Sequence, residues 1–229
     1  MKATLSTRLL LSLVDTAQHI ADVVNLRATT DGICAVAVNS TRKCICVVDI
    51  AKDAFLAYDC TGVSIGLELD TFRSALRQLG PTLTISMSDA RVTFESDDCC
   101  VEVHALNHDR QVLNTVRQLS ERVYDCVAHV PATTWGRVAN MPGAVHVSCR
   151  GDTLAFASTG PRCSSNIVLP DHVVKQSDLD VDVATHYLLL VSACSACSAC
   201  KSVVLSMSPG SIRAECGWEG GHMICYVPD

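Results

Sequence analysis

Three regularly spaced cysteines are the residues of this chain that most resemble a ligand set. Cys194, Cys197 and Cys200 are each separated by two residues, as in the first part of an iron–sulfur ligand run. Such a run needs a fourth thiolate and a loop that wraps the cluster. Tyr187 and Leu190, however, precede the first two cysteines on one apolar helical stripe. The helical spacing therefore favours buried core cysteines, and a metal or redox protein built on this run is the alternative.

Other catalytic patterns are absent from the sequence. It contains no P-loop, no Gly-x-Gly-x-x-Gly after a strand, no His-Glu-x-x-His and no Gly-x-Ser-x-Gly. The eight histidines are scattered, and His186 and His222 are single candidate ligands without partners nearby in the sequence. The adjacent acids Asp97 and Asp98 lack the glycine of a calcium-binding loop. We therefore expect no enzyme activity, no cofactor and no metal.

A repeating order of elements organises the whole chain. Short segments rich in Val, Ile, Thr and Cys alternate with segments of helical period, and together they give a strand, a helix, a strand hairpin and a further strand four times. The four helices are predicted at 7–24, 70–79, 132–141 and 183–200. The second has the clearest apolar stripe, formed by Phe72, Ala75, Leu76 and Leu79, with Asp70 as its N-cap. The pattern predicts an α+β fold with helices on one face of antiparallel sheets.

Length and composition are consistent with two domains. The chain has 229 residues and 48% hydrophobic content, which is enough to build a core. The charged and polar stretch 106–124 separates the second and third repeats, so we predict domains 1–105 and 125–229 joined by a linker over 106–124. No run of 18 apolar residues occurs, and the 14 cysteines have no disulfide-scaffold spacing. We expect a soluble, non-secreted protein of a reducing intracellular compartment, without membrane association.

Several segments, in their order along the chain, resemble the proliferating cell nuclear antigen (PCNA) type of DNA sliding clamp. A clamp of this family is built from four βαβββ units in two domains, which is the order of elements predicted here. The resemblance covers nearly the whole chain and is clearest in five segments: Thr30–Ile33, Val38–Arg42, Val130–Pro131, Phe156–Gly160 with Asn166-Ile167, and Gly221–Tyr226.

The resemblance implies a function in DNA replication and repair. It implies a homotrimeric ring around double-stranded DNA that tethers DNA polymerase and other enzymes, is opened by a clamp loader, and works in the nucleus or at a viral replication site. Two alternatives share the fold: a subunit of a heteromeric checkpoint-type ring, and a monomeric viral polymerase accessory factor.

Basic residues on the predicted helices are the candidate DNA contacts. Arg73, Arg77 and Arg137 lie off the apolar stripes, where the residues alone allow either a solvated surface or a phosphate contact, and the resemblance favours DNA. The net charge is −6 and only five lysines occur, so we expect sparse contacts that include polar groups. Those polar candidates are Ser12, Gln18 and Asn140.

The resemblance also implies two protein-binding surfaces. Partner peptides of this family dock beneath the interdomain linker, and the matching residues here are Val38, Arg42, Ile45, Leu119, Tyr226, Val227 and Pro228. Ring closure would pair the strand near 99–105 of one subunit with the strand near 165–169 of the next, with Cys99, Val101, Val103, Asn166 and Val168 at the interface. From the residues alone, ordinary core packing and covered edges in a monomer explain these positions equally well.

Overall fold

The computed structural model divides into two compact units. It describes residues 1–88, 90–175, 177–184, 187–189, 191–192 and 200–227. Unit 1 comprises Met1–Gln118 with Trp218–Met223, and unit 2 comprises Leu119–Gly217 with Ile224–Asp229. Over the described residues no helix has the length and apolar composition needed to cross a bilayer.

Unit 1 contains two βαβββ repeats and some additional elements. The first repeat is β1 (Lys2–Ser6), α1 (Thr7–Ala17), β2 (Val23–Thr29), β3 (Gly32–Val38) and β4 (Ile45–Ala51). After a 3-10 turn at Lys52–Ala54 and β5 (Ala57–Asp59), the second is β6 (Val63–Glu68), α2 (Leu69–Leu76), β7 (Thr82–Met87), β8 (Arg91–Glu95) and β9 (Cys100–His104). Helix α3 (Arg110–Ser120) follows, and the unit boundary falls within it.

The strands of unit 1 form antiparallel sheets on which α1 and α2 pack. One sheet has the order β5-β1-β7-β8-β9, and another runs β4-β3-β2-β6. Helices α1 and α2 contact each other. Their apolar residues Leu10, Leu13 and Phe72 line, with sheet residues such as Leu26 and Val48, one small cavity of about 40 Å³. Phe72 also stacks on Phe94 with ring centroids 5.2 Å apart, so the core of this unit lies between helices and sheets.

Unit 2 repeats the arrangement with different lengths. Its elements are β10 (Cys126–Pro131), α4 (Ala132–Val138), β11 (Val145–Arg150), β12 (Thr153–Thr159), β13 (Ser164–Leu169), β14 (Val173–Lys175), β15 (Leu179–Val183), β16 (Ser202–Ser208), β17 (Ser211–Trp218) and β18 (Gly221–Val227). Trp218 of β17 and Gly221–Met223 of β18 belong to unit 1. The sheet orders are β14-β10-β16-β17-β18 and β13-β12-β11-β15. Trp135 of α4 meets Phe156 edge to face at 5.6 Å, which repeats the helix-to-sheet core of unit 1.

The predicted α+β class and the order of repeats are confirmed. The apolar stripe of α2 is buried at Phe72, Ala75 and Leu76, whereas its fourth predicted member, Leu79, follows the helix and is half-buried. The prediction that Asp70 caps this helix is wrong. Helix α2 starts at Leu69, whose backbone N–H donates to the carbonyl of Asp22 at 2.8 Å, so Asp70 lies in the first turn instead.

Further boundaries differ from the sequence prediction. Helix α2 ends at Leu76 and not at 79, and α4 ends at Val138 and not at 141. Helix α1 ends at Ala17 and not at 24, because the β-branched Val23 and Val24 join β2, where Val24 pairs with Ala37 of β3. The segment 106–124, predicted as an irregular linker, contains α3. The domain limits 1–105 and 125–229 stay predictions.

Candidate nucleic-acid interface and partner surface

Helices α1 and α2 carry the predicted DNA contacts of unit 1. Arg77 is exposed directly after the last residue of α2, and Ser12 on α1 is half-buried. Arg73 is less available, because its Nε lies 2.6 Å from Oδ1 of Asp15 on α1. A guanidinium paired with a carboxylate contributes little net positive potential.

Gln18 is engaged in the same way. Its Nε2 donates to Oδ1 of Asp70 at 2.6 Å, which links the end of α1 to the start of α2. Two of the four predicted polar or basic groups in unit 1 are therefore already bonded to acidic side chains. Asp15 and Asp70 make this surface less positive than the sequence prediction implied.

Arg8 is an additional basic candidate that the sequence prediction missed. It is exposed on α1, and Ser12 and Asp15 follow at i+4 and i+7, which places the three on one helical face. The i, i+4, i+7 spacing of Arg8, Ser12 and Asp15 in the sequence is the signal that could have identified Arg8.

In unit 2, α4 presents the corresponding groups. Arg137 is exposed in the last turn of the helix, and Asn140 is exposed just beyond it. The Asn140 side-chain amide donates to the carbonyl of Gly136 at 2.6 Å. Arg137 remains the basic group that this helix offers to a ligand.

Part of the fourth repeat lies outside the described residues. The residues outside the description include Cys194, Cys197, His186 and Leu190. Of the predicted helix 183–200, the structure describes 187–189 and 191–192 as helical. Cys200 is buried, and its thiol donates to the carbonyl of Ser202 at 3.0 Å. Within the described ranges, no group of three or more His, Cys, Asp or Glu side chains is arranged to hold a metal ion.

The predicted partner-pocket residues are mostly covered. In unit 1, Ile45 is fully buried and pairs with the half-buried Val38 across β3 and β4. In unit 2, Tyr226 and Val227 are buried, and burial raises the pKa of the Tyr226 phenol although Arg213 opposes this. Leu119 is half-buried, and Pro228 lies outside the described residues. A peptide that reached the buried members would have to displace whatever covers them.

Arg42 is the exposed member among the described residues of that set, and it is already bound. Its guanidinium donates to Oδ2 of Asp109 at 2.8 Å and to Oε1 of Gln111 at 3.0 Å. Its backbone φ is +57°, a left-handed conformation that non-glycine residues adopt at an energetic cost. The two hydrogen bonds of Arg42 join the β3–β4 loop to the start of α3.

The predicted interface strands lie at sheet ends. Within the described part of the chain, β9 ends one sheet of unit 1 and β13 ends one sheet of unit 2. Asn166 and Val168 on β13 are exposed, whereas Cys99 and Val101 are half-buried and Val103 is buried in its own unit. The side chain of Val103 therefore belongs to the core, while the backbone of β9 keeps its edge position.

One polar cleft in unit 1 combines a thiol, a carboxylate and an imidazole. It has a volume of about 260 Å³, and its lining includes Arg27, Cys34, Asp49 and His222. Nε2 of His222 lies 3.1 Å from Oδ2 of Asp49. Burial would raise the pKa of Asp49, but hydrogen bonds from His222 and Cys34 together with the charge of His222 lower it below its usual value.

The same contacts make Cys34 a poor nucleophile. Burial, the charge of Asp49 and a hydrogen bond to Asp49 raise the pKa of the Cys34 thiol to about 12. Nucleophilic catalysis needs the thiolate, which a neighbouring base or positive charge stabilises. In this cleft Asp49 contacts both the thiol and the imidazole, and its charge stabilises the protonated thiol, which is the unreactive form.

The comparisons with known proteins agree on one fold. No protein-family model matches the chain. A DNA polymerase sliding clamp of Picrophilus torridus is 22% identical over 192 residues, which cover 82% of this chain and 78% of that relative. The crystal structure of the proliferating cellular nuclear antigen of Entamoeba histolytica superposes with a TM-score of 0.83 at 16% identity and covers 100% of this chain and 98% of its own.

Two further solved structures match over the full length. The PCNA2–PCNA3 complex of Sulfolobus tokodaii gives a TM-score of 0.80 at 13% identity, with 100% of this chain and 99% of that chain covered. A. fulgidus PCNA, solved with the bound C-terminal region of FEN-1, gives 0.83 at 11% identity, with 100% and 98% covered. The predicted resemblance is therefore confirmed at the level of structure: this chain has the fold of the PCNA-type sliding clamps.

Proposed function

We propose that this protein is a DNA sliding clamp that encircles duplex DNA and serves as a processivity factor for replication and repair enzymes. The observation that carries the proposal is the match to PCNA structures over the whole chain, with TM-scores of 0.80 to 0.83. The sequence similarity to a protein named as a DNA polymerase sliding clamp supports it independently.

The mechanism we propose is topological and not chemical. A closed ring cannot leave circular DNA by simple dissociation, so a bound polymerase stays at a high effective concentration near the primer end. We propose a homotrimer in which β9 of one subunit pairs with β13 of the next, which removes two open sheet edges per contact. A clamp loader would open this ring.

The DNA contact we propose is sparse and relies on arginine. Arg8 and Arg137 are exposed on helices and Arg77 directly after one, while Arg73 is partly neutralised by Asp15. Ser12, Gln18 and Asn140 add polar groups that bond phosphates without sequence preference. Few phosphate contacts give a shallow salt dependence and a ring that slides easily.

We further propose that polymerase and other replication enzymes dock through short peptides at the site predicted from the sequence, whose residues are Val38, Arg42, Ile45, Leu119, Tyr226, Val227 and Pro228. Support comes from the solved A. fulgidus PCNA, which carries the C-terminal region of FEN-1. The protein would act in the nucleus or at a viral replication site.

Retention on circular DNA tests the proposal. Dilute, dissociated protein is concentrated in the presence of nicked plasmid so that rings assemble around it, and is then moved to salt high enough to break phosphate contacts. We expect the protein to elute with the circular plasmid and to be released when a restriction enzyme linearises it. Equal loss from circular and linear DNA would contradict encirclement.

A heteromeric ring is the second candidate, because one of the matching structures is a complex of two different PCNA chains. The mass of the pure protein in solution separates the two. A trimer of the 24.5 kDa chain supports the homotrimer, and a monomer at all concentrations supports a ring that needs other subunits or a monomeric accessory factor.

A further inference from the structure

Two buried cysteines of unit 2 lie side by side. Cys126 is on β10 and Cys149 is on β11, and these two strands belong to different sheets. Neither residue is accessible to solvent. The Cys126 thiol donates a hydrogen bond to Cys149, with the two Sγ atoms 2.9 Å apart. This distance is shorter than the roughly 3.5–4.0 Å at which carbon atoms pack, so the two sulfur atoms are already close to bonding distance.

The surroundings of the pair favour its protonated form. Burial, the hydrogen bond to Cys149 and the charge of Cys149 raise the pKa of the Cys126 thiol to about 12, whereas the charge of Lys175 lowers it. The Lys175 ammonium group is held near the pair because it donates to the carbonyl of Tyr124, two residues before Cys126. Thiol–disulfide exchange requires a thiolate. The pair therefore reacts slowly while unit 2 is closed, and it reacts when local opening exposes it.

A bond between these cysteines would connect elements on both sides of α4. The chain from Cys126 to Cys149 contains all of α4. In the reduced protein the two cysteines are held by separate sheets, where Cys126 pairs with Met207 and Cys149 pairs with Leu154. A disulfide that closes this loop restricts the unfolded chain and opposes separation of the two sheets.

We propose that Cys126 and Cys149 are a redox-active dithiol, which low-molecular-weight disulfides convert to an intramolecular disulfide that joins the two sheets of unit 2. One thiolate attacks a sulfur of the small disulfide and displaces a first small thiolate, which leaves a mixed disulfide on the protein. The second thiolate attacks the protein sulfur of that mixed disulfide and displaces the other small thiolate. The protein gives up two electrons and two protons, and the small disulfide takes them up as two thiols.

Oxidised glutathione is the probe for this reaction. The reduced full-length protein is incubated with it in the absence of denaturant and quenched with acid, and the remaining thiols are alkylated before digestion and mass spectrometry. We expect the peptides of Cys126 and Cys149 to be cross-linked, lighter by two hydrogen atoms and free of glutathione, and we expect dithiothreitol to reverse the change. Glutathione retained on Cys126, cross-links of Cys126 to other cysteines only, or a pair that stays reduced would overturn the proposal.

Two variants test the assignment of the pair. Cys149→Ala removes one member and should abolish the cross-link at Cys126. Cys216→Ala is the matched control, because Cys216 is another buried cysteine of unit 2, on β17. It should form the cross-link like the wild type. Loss of the cross-link in both variants would contradict the assignment.

Thermal unfolding tests the joining of the sheets. We expect the oxidised wild type to unfold about 5–10 °C above the reduced protein, because the disulfide restricts the unfolded chain. The same treatment of Cys149→Ala should give no such difference. An oxidised protein no more stable than the reduced one would show that the bond does not hold the sheets together. The inference does not depend on the proposed function, since no measurement of it contains DNA.

Discussion

The carboxylate of Asp49 shows how one residue determines the chemistry of its surroundings. Its hydrogen bonds with His222 and Cys34 lower its own pKa against the effect of burial, and the same carboxylate raises the pKa of the Cys34 thiol. A set of residue types that suggests catalysis is therefore stabilised in its unreactive form. The hydrogen-bond partner of the thiol decides whether the thiol is reactive. The residue types in the sequence do not reveal that partner.

A pH dependence of stability follows for Asp49. Because its folded-state pKa is below the unfolded value of about 3.9, its stabilising contribution is complete above that value and is lost as the pH falls through the folded pKa. We expect the stability difference between wild type and Asp49→Asn in urea unfolding to shrink as the pH is lowered from about 5 to below 4. The exposed Asp59 supplies a control, Asp59→Asn. A difference that grew on acidification would contradict the assigned contacts.

At the scale of elements, the βαβββ repeat could be predicted from the sequence because the hydrophobic period and the residue composition both change between strands and helices. Strands alternate and are rich in β-branched residues, and α2 buries Phe72, Ala75 and Leu76 of its predicted stripe. Helix α3 was not predicted because its polar composition is typical of a linker, although Val112, Val116 and Leu119 have helical spacing. The pairs Arg73–Asp15 and Gln18–Asp70 join residues far apart in sequence, so helical pattern alone gives no sign of them.

The α1–α2 surface yields a prediction about charge. The Asp15→Asn variant removes the carboxylate 2.6 Å from Arg73 and frees that guanidinium for phosphate. We expect duplex DNA to bind about threefold more tightly, with a steeper loss of affinity as salt is raised. Anisotropy of a labelled duplex at two salt concentrations measures both effects.

Asp53→Asn makes the same change in net charge at an exposed site in the 3-10 turn, outside these helices. If Asp53→Asn strengthened binding as much as Asp15→Asn, the gain would come from overall charge, and α1 and α2 would not be the DNA-facing elements.

For the whole molecule, the sheet ends at β9 and β13 are the edges that the proposed ring would pair. An unpaired strand edge exposes backbone donors and acceptors, and soluble proteins cover, charge or pair such edges. Val168 on β13 is 53% exposed. In the ring we propose, Val168 would be covered by the strand of the next subunit.

Replacing Val168 with lysine should separate the subunits without unfolding them. The side chain is already exposed, so the monomer tolerates the charge, whereas a lysine within the subunit contact would be desolvated without a partner. We expect light scattering to show a 24.5 kDa species for Val168→Lys where the wild type is a trimer. Val174→Lys is the matched control, because Val174 is 68% exposed on β14, a strand outside the proposed contact. Dissociation by both variants would indicate a general effect of charge, and a trimer that survived Val168→Lys would place the subunit contact elsewhere.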